Sequence, residues 1–508
     1  MKSLRHNGVY IPTYSPIGLR IKFKGRTIDL SDEAENMAVQ FVKKFGTPYV
    51  EDKVFVTNFL TDFSKAIDVD KEEGCLELKN YDFSEIQHYL EEVKKRTEAM
   101  TKEEKKLASH LKKLVRERLK EQYGYAYVDG VKTPLMNWAV EPASIFMSKG
   151  NNPLRGRWKR AVKKEEIVLN SSEPMPGWKT VWEPEQMWIA KWPEVFDPTR
   201  YKYVWLHPSS SLRQEREQAK FDKALELEHK INLVKEFIEK ELSSKDETRR
   251  KLATVCWLMM HLGIRVGDEK IAGERGTVGC TTLKPSNVIL EDGNKVVLDF
   301  IGKDFVHWHR EIVVPQQVYE NLKEFRESAG TDFIFKGLNS AKVSRFLKEV
   351  VPGLSAKVFR TYLAGTLWDR HANENAKYVF DDTPEHVRKY LFKKTNLEVA
   401  KALNHKKALP KNFSERLAKK EERLKKEYEK LLLIPQDKTE KWRKQRMKVE
   451  KLAAELELMK ETAEWNLNTS LTSYIDPRRV LKFLKRIELP VEDVYSKALR
   501  EKFSWAIT

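Results

Sequence analysis

Cysteine is scarce, with Cys75, Cys256 and Cys280 the only three in 508 residues, far apart and without a C-x-x-C pair. That spacing indicates neither a disulfide framework nor a zinc cluster, and it points to a reducing compartment. Long apolar runs are missing too. The longest, LATVCWLMMHLGI at 252–264, is too short to span a bilayer and contains His261, and the opening MKSLRHNGVYIPTYSP has no apolar signal core. A soluble, intracellular chain with no membrane partner is expected. The phosphate loop G-x-x-x-x-G-K-[ST], the metalloprotease H-E-x-x-H and the hydrolase G-x-S-x-G do not occur. Chemistry driven by a nucleoside triphosphate or a resident metal is therefore not indicated, and no cofactor is expected.

Positive charge is in excess. Lys and Arg number 94 against 76 Asp and Glu, a formal net charge of +18, which suits a polyanionic partner. The 41% apolar content is ample for the cores of two to four domains.

Residues 1–210 mix strand-like runs (LRIKFKGRTIDL), charged helical stretches (MTKEEKKLASHLKKLVRERLKEQYG) and loops rich in Trp, Pro and Gly, an α+β pattern divisible into lobes. The loop EPASIFMSKGNNPLRGRWKR at 141–160 carries Lys149, Arg155, Arg157, Lys159 and Arg160, the composition of a phosphate-contacting surface. A solvated basic loop is the plain alternative. Residues 211–408 read as mainly helical, with a strand pair in NVILEDGNKVVLDFIGKD turning at Asp292-Gly293. Within 409–463, Leu417, Leu424, Tyr428 and Leu431 precede Pro435, and Trp442, Val449, Leu452, Leu456 and Met459 follow it. This predicts an antiparallel coiled-coil hairpin, solvated on all sides but one. The remainder, 464–508, reads as a short module joined to the body by that hinged arm.

Five residues, Arg265, Lys303, Arg360, His405 and Tyr474, bear on chemistry. Arg265 lies in MHLGIRVGDEK, where a helix ends near Gly267, and Lys303 lies in FIGKDF after a strand. Lys357 and Arg360 stand three apart in SAKVFRTYLAGTLW, expected on one side of a helix capped by Ser355, with Phe359, Tyr362, Leu363, Thr366 and Leu367 as its apolar stripe. His405 lies in LNHKK and Tyr474 in LTSYIDPRR. Singly, each has a structural explanation. Taken in order, Arg, Lys, K-x-x-R, His and Tyr resemble the catalytic set of type IB DNA topoisomerases. The segments EPASIF, RVGDEK with GTVGCTTL, FIGKD, SAKVFRTY, NHKK with ALPKNF, and SYIDPRR with LREKFSWAI are similar to those of the eukaryotic-type enzymes. The resemblance covers essentially the whole chain.

That resemblance implies relaxation of positive and negative supercoils without ATP or obligatory metal, through a transient nick and a 3′-phosphotyrosyl link. Tyr474 would be the nucleophile, Arg265, Arg360 and His405 would stabilise the reacting phosphate, and Lys303 would be the general acid, reaching the minor groove. Lys149, Asn152, Lys357, Lys406 and Thr469 would contact DNA. The partner would be duplex DNA, preferably supercoiled, and the protein a monomer. The implied fold is α+β, a multi-domain DNA clamp. Its parts would be mixed α/β lobes at 1–210, a mainly helical catalytic domain related to tyrosine recombinases at 211–408, a coiled-coil linker at 409–463 and a C-terminal domain at 464–508. Met1 opens almost directly on the core, without the long charged extension of nuclear members. A nuclear location in a eukaryote, or a cytoplasmic and nucleoid one in an archaeon, therefore both fit. A tyrosine recombinase and a non-catalytic duplex clamp are the alternatives. The helical hairpin before Tyr474 disfavours the first, and the five intact positions disfavour the second.

The resemblance also bears on camptothecin, which in related enzymes lodges at the nick against an arginine, an aspartate and an asparagine. Those positions correspond to Lys149, Asp304 and Ser473. Lysine lacks arginine's planar fork, and serine is too short to replace an amide. Two lost hydrogen bonds at roughly 0.5–1.5 kcal/mol each weaken trapping about five- to more than a hundredfold. Drug-dependent covalent complex should be sparse in the wild type and should rise in Lys149→Arg with Ser473→Asn. Strong trapping in the wild type would show that these contacts do not decide the response.

Overall fold

Phe55, Phe59 and Phe63 recur every fourth residue, so a helix places all three on one face. The computed structural model, which describes residues 1–147, 152–268, 277–410, 412–435 and 439–507, contains that helix as α2 (Lys53–Ala66). Asp52 caps it, accepting the Val54 and Phe55 N–H groups. α1 (Asp32–Val42), capped by Ser31, presents Phe41, whose ring stacks on Phe59 at 3.9 Å. Together with Ile21, Phe23 and Tyr81 these rings form one core. Leu169, Ile189, Trp192 and Val204 form a second core beneath a four-stranded sheet of strands Lys179–Val181, Val168–Asn170, Trp188–Glu194 and Asp197–Trp205. The first two strands pair in parallel and the others antiparallel. Both cores belong to the first compact unit, Met1–Arg213.

The basic loop of this unit departs from the phosphate-contacting surface expected for it. Arg155 forks onto Asp52 (2.5 and 3.0 Å), Arg157 bonds Asp62 (2.7 Å), Lys159 pairs with Glu141 and Glu194, and Arg160 pairs with Glu166 (2.6 Å). Four of the five cations are thus taken up in closing the loop on its own unit. Their partners stand as much as 103 residues away in sequence, beyond the reach of a local reading.

The second unit begins at Gln214. It contains most of α3 (Ser211–Leu242), followed by α4 (Glu247–Leu262). The apolar run 252–264 is core helix: Leu252, Val255, Cys256, Leu258 and Met259 are buried, and Gly263 ends the helix at φ +64°. Among the described residues no helix is long and apolar enough to cross a membrane. An antiparallel sheet follows, with strands β1 (Val288–Glu291), β2 (Lys295–Ile301) and β3 (His307–Val313). The first turn lies where Asp292-Gly293 marked it, but as a three-residue loop with Gly293 and Asn294, not Asp292, at positive φ. The third strand, HWHREIV, escaped the sequence reading because polar residues outnumber apolar ones along it.

α5 (Ala356–Ala376) buries Phe359, Arg360, Ala364 and Trp368, while Tyr362, Leu363, Thr366 and Leu367 are only half-buried, so the inward face is rotated from the expected stripe. Ser355 is the N-cap residue but makes no side-chain capping bond. α6 (Glu385–Ala402) packs beside α5. α7 (Phe413–Leu432) and α8 (Thr439–Glu461) run antiparallel, because Lys420 pairs with Glu455, Glu421 with Lys460 and Glu427 with Lys448. Tyr428 is exposed rather than inside this pair; Glu427 is buried at that level and bonds Gln445. α8 is also tied to α6 through Tyr390 with Glu457 (2.9 Å) and Lys394 with Glu461.

α9 (Leu467–Ser473) and α10 (Pro477–Arg486) follow. Leu471, Val480 and Phe483 join Phe221, Trp368 and Phe392 in one cluster, so the 464–508 segment shares its core with α3, α5 and α6 rather than forming the separate module expected. Trp368→Ala, at a fully buried position, should destabilise this unit by roughly 3–5 kcal/mol. Calorimetry should show the C-terminal segment melting with the rest of the unit; a separate early transition would contradict the shared core.

Candidate functional site

Arg360 is 4% exposed, so its guanidinium must find acceptors inside the protein. It bonds the carbonyls of Gly263 and Leu403 (3.1 Å for the latter), the residues that end α4 and α6. Helix C-termini leave carbonyls without intrahelical partners and carry partial negative charge, so two of them hold this cation. Burial pushes the Arg360 pKa down to about 10, which leaves it charged at neutral pH. Its guanidinium carbon lies 4.9 Å from the centre of the Tyr474 ring, and its Nη2 lies 3.3 Å from His405 Nε2.

Arg265 follows two residues after Gly263. Its loop is held by a glycine contact: a Cβ on Gly267 or Gly279 would lie 2.5–2.7 Å from the other's Cα. Gly267 also has φ +77°. The Arg265 carbonyl accepts the Cys280 N–H at 2.9 Å. Both glycines stand in the segments RVGDEK and GTVGC, but the reason for them appears only when the strands of this loop meet.

His405 follows Leu403 by two residues, after Asn404 at φ +54°. Its Nδ1 lies 2.8 Å from Ser470 Oγ, and its carbonyl accepts the Asn466 N–H at 2.7 Å. Burial, with Arg360 and Arg265 nearby, depresses its pKa to about 3, so the ring is neutral. Arginine only donates, so Nε2 accepts from Arg360 and Nδ1–H donates to Ser470. Stabilising a phosphate, the role the resemblance implies for His405, requires Nε2 to donate instead. Donation from Nε2 requires the other tautomer, which Ser470 can support by becoming the donor.

Tyr474 is the C-cap residue of α9, its N–H bonded to the Ser470 carbonyl at 2.9 Å and its ring centre 5.1 Å from that of His405. Burial raises its phenol pKa, but the charges of Arg360 and Arg265 and hydrogen bonds from both outweigh burial, and the net direction is down. Lys303 stands outside this group, exposed on the β2–β3 turn that Phe305 shapes at φ +58°. The root of that turn is fastened beside His405, where Asn404 Nδ2 donates to the His307 carbonyl (3.1 Å) and Arg310 Nη2 to the Lys401 carbonyl (2.5 Å).

Of the expected DNA contacts, Lys357 is exposed although Arg360, three residues on, is buried. Lys406 is half-buried, 5.8 Å from the Trp465 ring, and Thr469 is half-buried on α9 with its N–H capped by Asn466. Asn152 is 8% exposed, and its side-chain oxygen accepts the Leu154 N–H to close its own turn. Lys149 and the side chain of Asp304 lie outside the described residues. Ser470 was missed, although its place one helical turn before Tyr474 is a usable signal.

His405 has a pH consequence. The folded state holds it neutral with a pKa of about 3, while the unfolded value is about 6.5. Its contribution is therefore fully present above pH 6.5 and is lost as pH falls towards 3. Thermal denaturation of the wild type should decline through that window, and His405→Gln should flatten the decline relative to wild type. His6, His261 and His386 shift in the same direction, so the difference between the two curves isolates His405.

Comparison with known proteins gives three consecutive family matches. They are the eukaryotic DNA topoisomerase I DNA binding fragment at 1–206, the eukaryotic DNA topoisomerase I catalytic core at 209–438 and a C-terminal topoisomerase domain at 446–508. The chain is 32% identical to DNA topoisomerase 1 beta of Arabidopsis thaliana over 100% of its own length and 58% of the plant protein. It is 30% identical to DNA topoisomerase 1 of Homo sapiens, over 100% of itself and 70% of that protein. With DNA topoisomerase I, mitochondrial, of Pan troglodytes the identity is 31%, over 100% of the chain and 90% of the relative. The chain thus spans little more than half the length of the plant protein.

Proposed function

Since the chain belongs to the eukaryotic DNA topoisomerase I family, we propose that it is a type IB enzyme that relaxes positive and negative supercoils by nicking and resealing one strand. The observation that carries this reading is the gathering of Arg265, Arg360 and His405 around the Tyr474 phenol. The phenol, its pKa drawn down by Arg360 and Arg265, gives up its proton to solvent, its oxygen attacks a phosphodiester, the bond to the 5′ oxygen breaks, and the strand is stored as a 3′-phosphotyrosyl ester. The phosphodiester energy is conserved, so no ATP is required for resealing. Negative charge grows on the non-bridging oxygens during in-line attack. Arg265 and Arg360 offer planar forks to them, and His405 in its Nε2–H form donates a further bond. These charges are side chains, so the proposed reaction has no obligatory metal. The departing 5′ oxygen needs a proton, and Lys303, exposed on its turn, is the proposed donor, entering from the minor groove.

Duplex DNA, preferably supercoiled, is the proposed partner of a monomeric enzyme, with Lys357, Lys406 and Thr469 as contacts and α7 with α8 as a coiled-coil linker. The helical fold of the second unit fits a relationship to tyrosine recombinases. The relatives reported above come from a plant and two primates, which supports a DNA-associated eukaryotic protein and lends no support to an archaeal owner.

Supercoiled plasmid of either sign should be relaxed in EDTA without nucleotide, and a strict need for magnesium or ATP would refute the reading. Tyr474→Phe should abolish nicking and leave duplex affinity nearly intact. Lys303→Ala should slow cleavage severely on normal DNA yet recover on a substrate with sulfur at the 5′ bridging position, a leaving group that needs no proton.

A further inference from the structure

Two lysines outside the group around Arg360 reach the backbone just before Tyr474. Lys220, on α3, donates to the Ser473 carbonyl at 3.0 Å, and Lys502, at the end of α11 (Lys497–Lys502), donates to the Thr472 carbonyl at 2.5 Å. Glu217, one turn back on α3, pairs with both, at 2.5 Å to Lys220 and 3.1 Å to Lys502. All three side chains are largely buried, at 31%, 18% and 21% exposure for Lys220, Lys502 and Glu217. The two carbonyls are the last of α9, where the helix leaves acceptors unpaired and its dipole is negative. α3 is further stitched to the chain end, because Gln214 Nε2 donates to the Glu501 carbonyl (3.0 Å) and to Ser504 Oγ (2.7 Å).

A buried ion-paired triad contributes little net stability compared with apolar residues of the same volume, but it demands one geometry. A seven-residue helix is too short to hold its own end rigid. We infer that Lys220, Lys502 and Glu217 form a brace that sets the position of the Tyr474 phenol, and that they are positioning residues for the nucleophilic step. The inference rests on the proposed function for its catalytic consequence, while the bracing of α9 stands apart from it. Displacing a reacting group by about 1 Å costs on the order of a hundredfold in rate. The cluster touches neither Arg360 nor His405 among the described contacts, so phosphate binding should survive its loss.

The test compares Lys502→Met, Lys502→Arg and Glu217→Gln with the wild type on a nicking substrate under single-turnover conditions. Duplex affinity is measured on a Tyr474→Phe background, and amide hydrogen exchange is followed across 470–475. The expected result is a ten- to hundredfold fall in the cleavage rate constant for Lys502→Met, affinity within about twofold, partial rescue by Lys502→Arg, and faster exchange at 470–475. Unchanged cleavage, or affinity falling in step with rate, would overturn the positioning role. If Lys502→Met does not fold, Glu217→Gln carries the same comparison. If the wild type does not nick DNA, the functional reading fails alone, and the exchange comparison still decides whether the brace holds α9.

Discussion

A guanidinium taken out of water costs several kcal/mol unless acceptors surround it, and Arg360 is almost wholly buried. Its acceptors are the terminal carbonyls of α4 and α6, and the chain leaves each helix through the site: Arg265 comes two residues after Gly263, and His405 two residues after Leu403. The interaction that satisfies one charge therefore also delivers two other side chains. α9 arrives against them with Ser470 on His405 and Tyr474 on Arg360. Segments distant in sequence thus meet around one buried cation.

The electrostatic consequences agree with one another. Two arginines face a neutral histidine and a phenol whose pKa is drawn down. Such a pocket carries positive charge and offers donors that an oxyanion can accept from, which suits the phosphodiester of the proposed reaction. Burial lowers the pKa of Arg360 and of His405 alike, yet at neutral pH the arginine stays charged, because it starts so much higher, while the histidine loses the minor protonated fraction it would carry in water.

Net charge and local charge tell different stories. The excess of +18 is a property of the whole surface and supports a polyanionic partner. The basic loop at 141–160 looked like the place where that charge acts, but Asp52, Asp62, Glu141, Glu166 and Glu194 engage its described cations. Composition sums charges, whereas recognition depends on those without a partner.

The sequence by itself determined the residue types of the candidate site and their order, the helical character of 211–408, the location of the turn at Asp292-Gly293 and the helix pair around Pro435; the last three rest on local spacing or turn chemistry. It could also have located Ser470, one turn before Tyr474. Only the tertiary structure decided the rest. The Gly267–Gly279 contact, the neutral state of His405, the partners of Arg155 and Arg157, the burial of Arg360 beside an exposed Lys357, and the core shared by Trp368 and Phe483 all depend on segments far apart in the chain. Burial, pKa and ion pairing are set by what lies within a few ångströms, and that neighbourhood exists only after long-range packing has formed it.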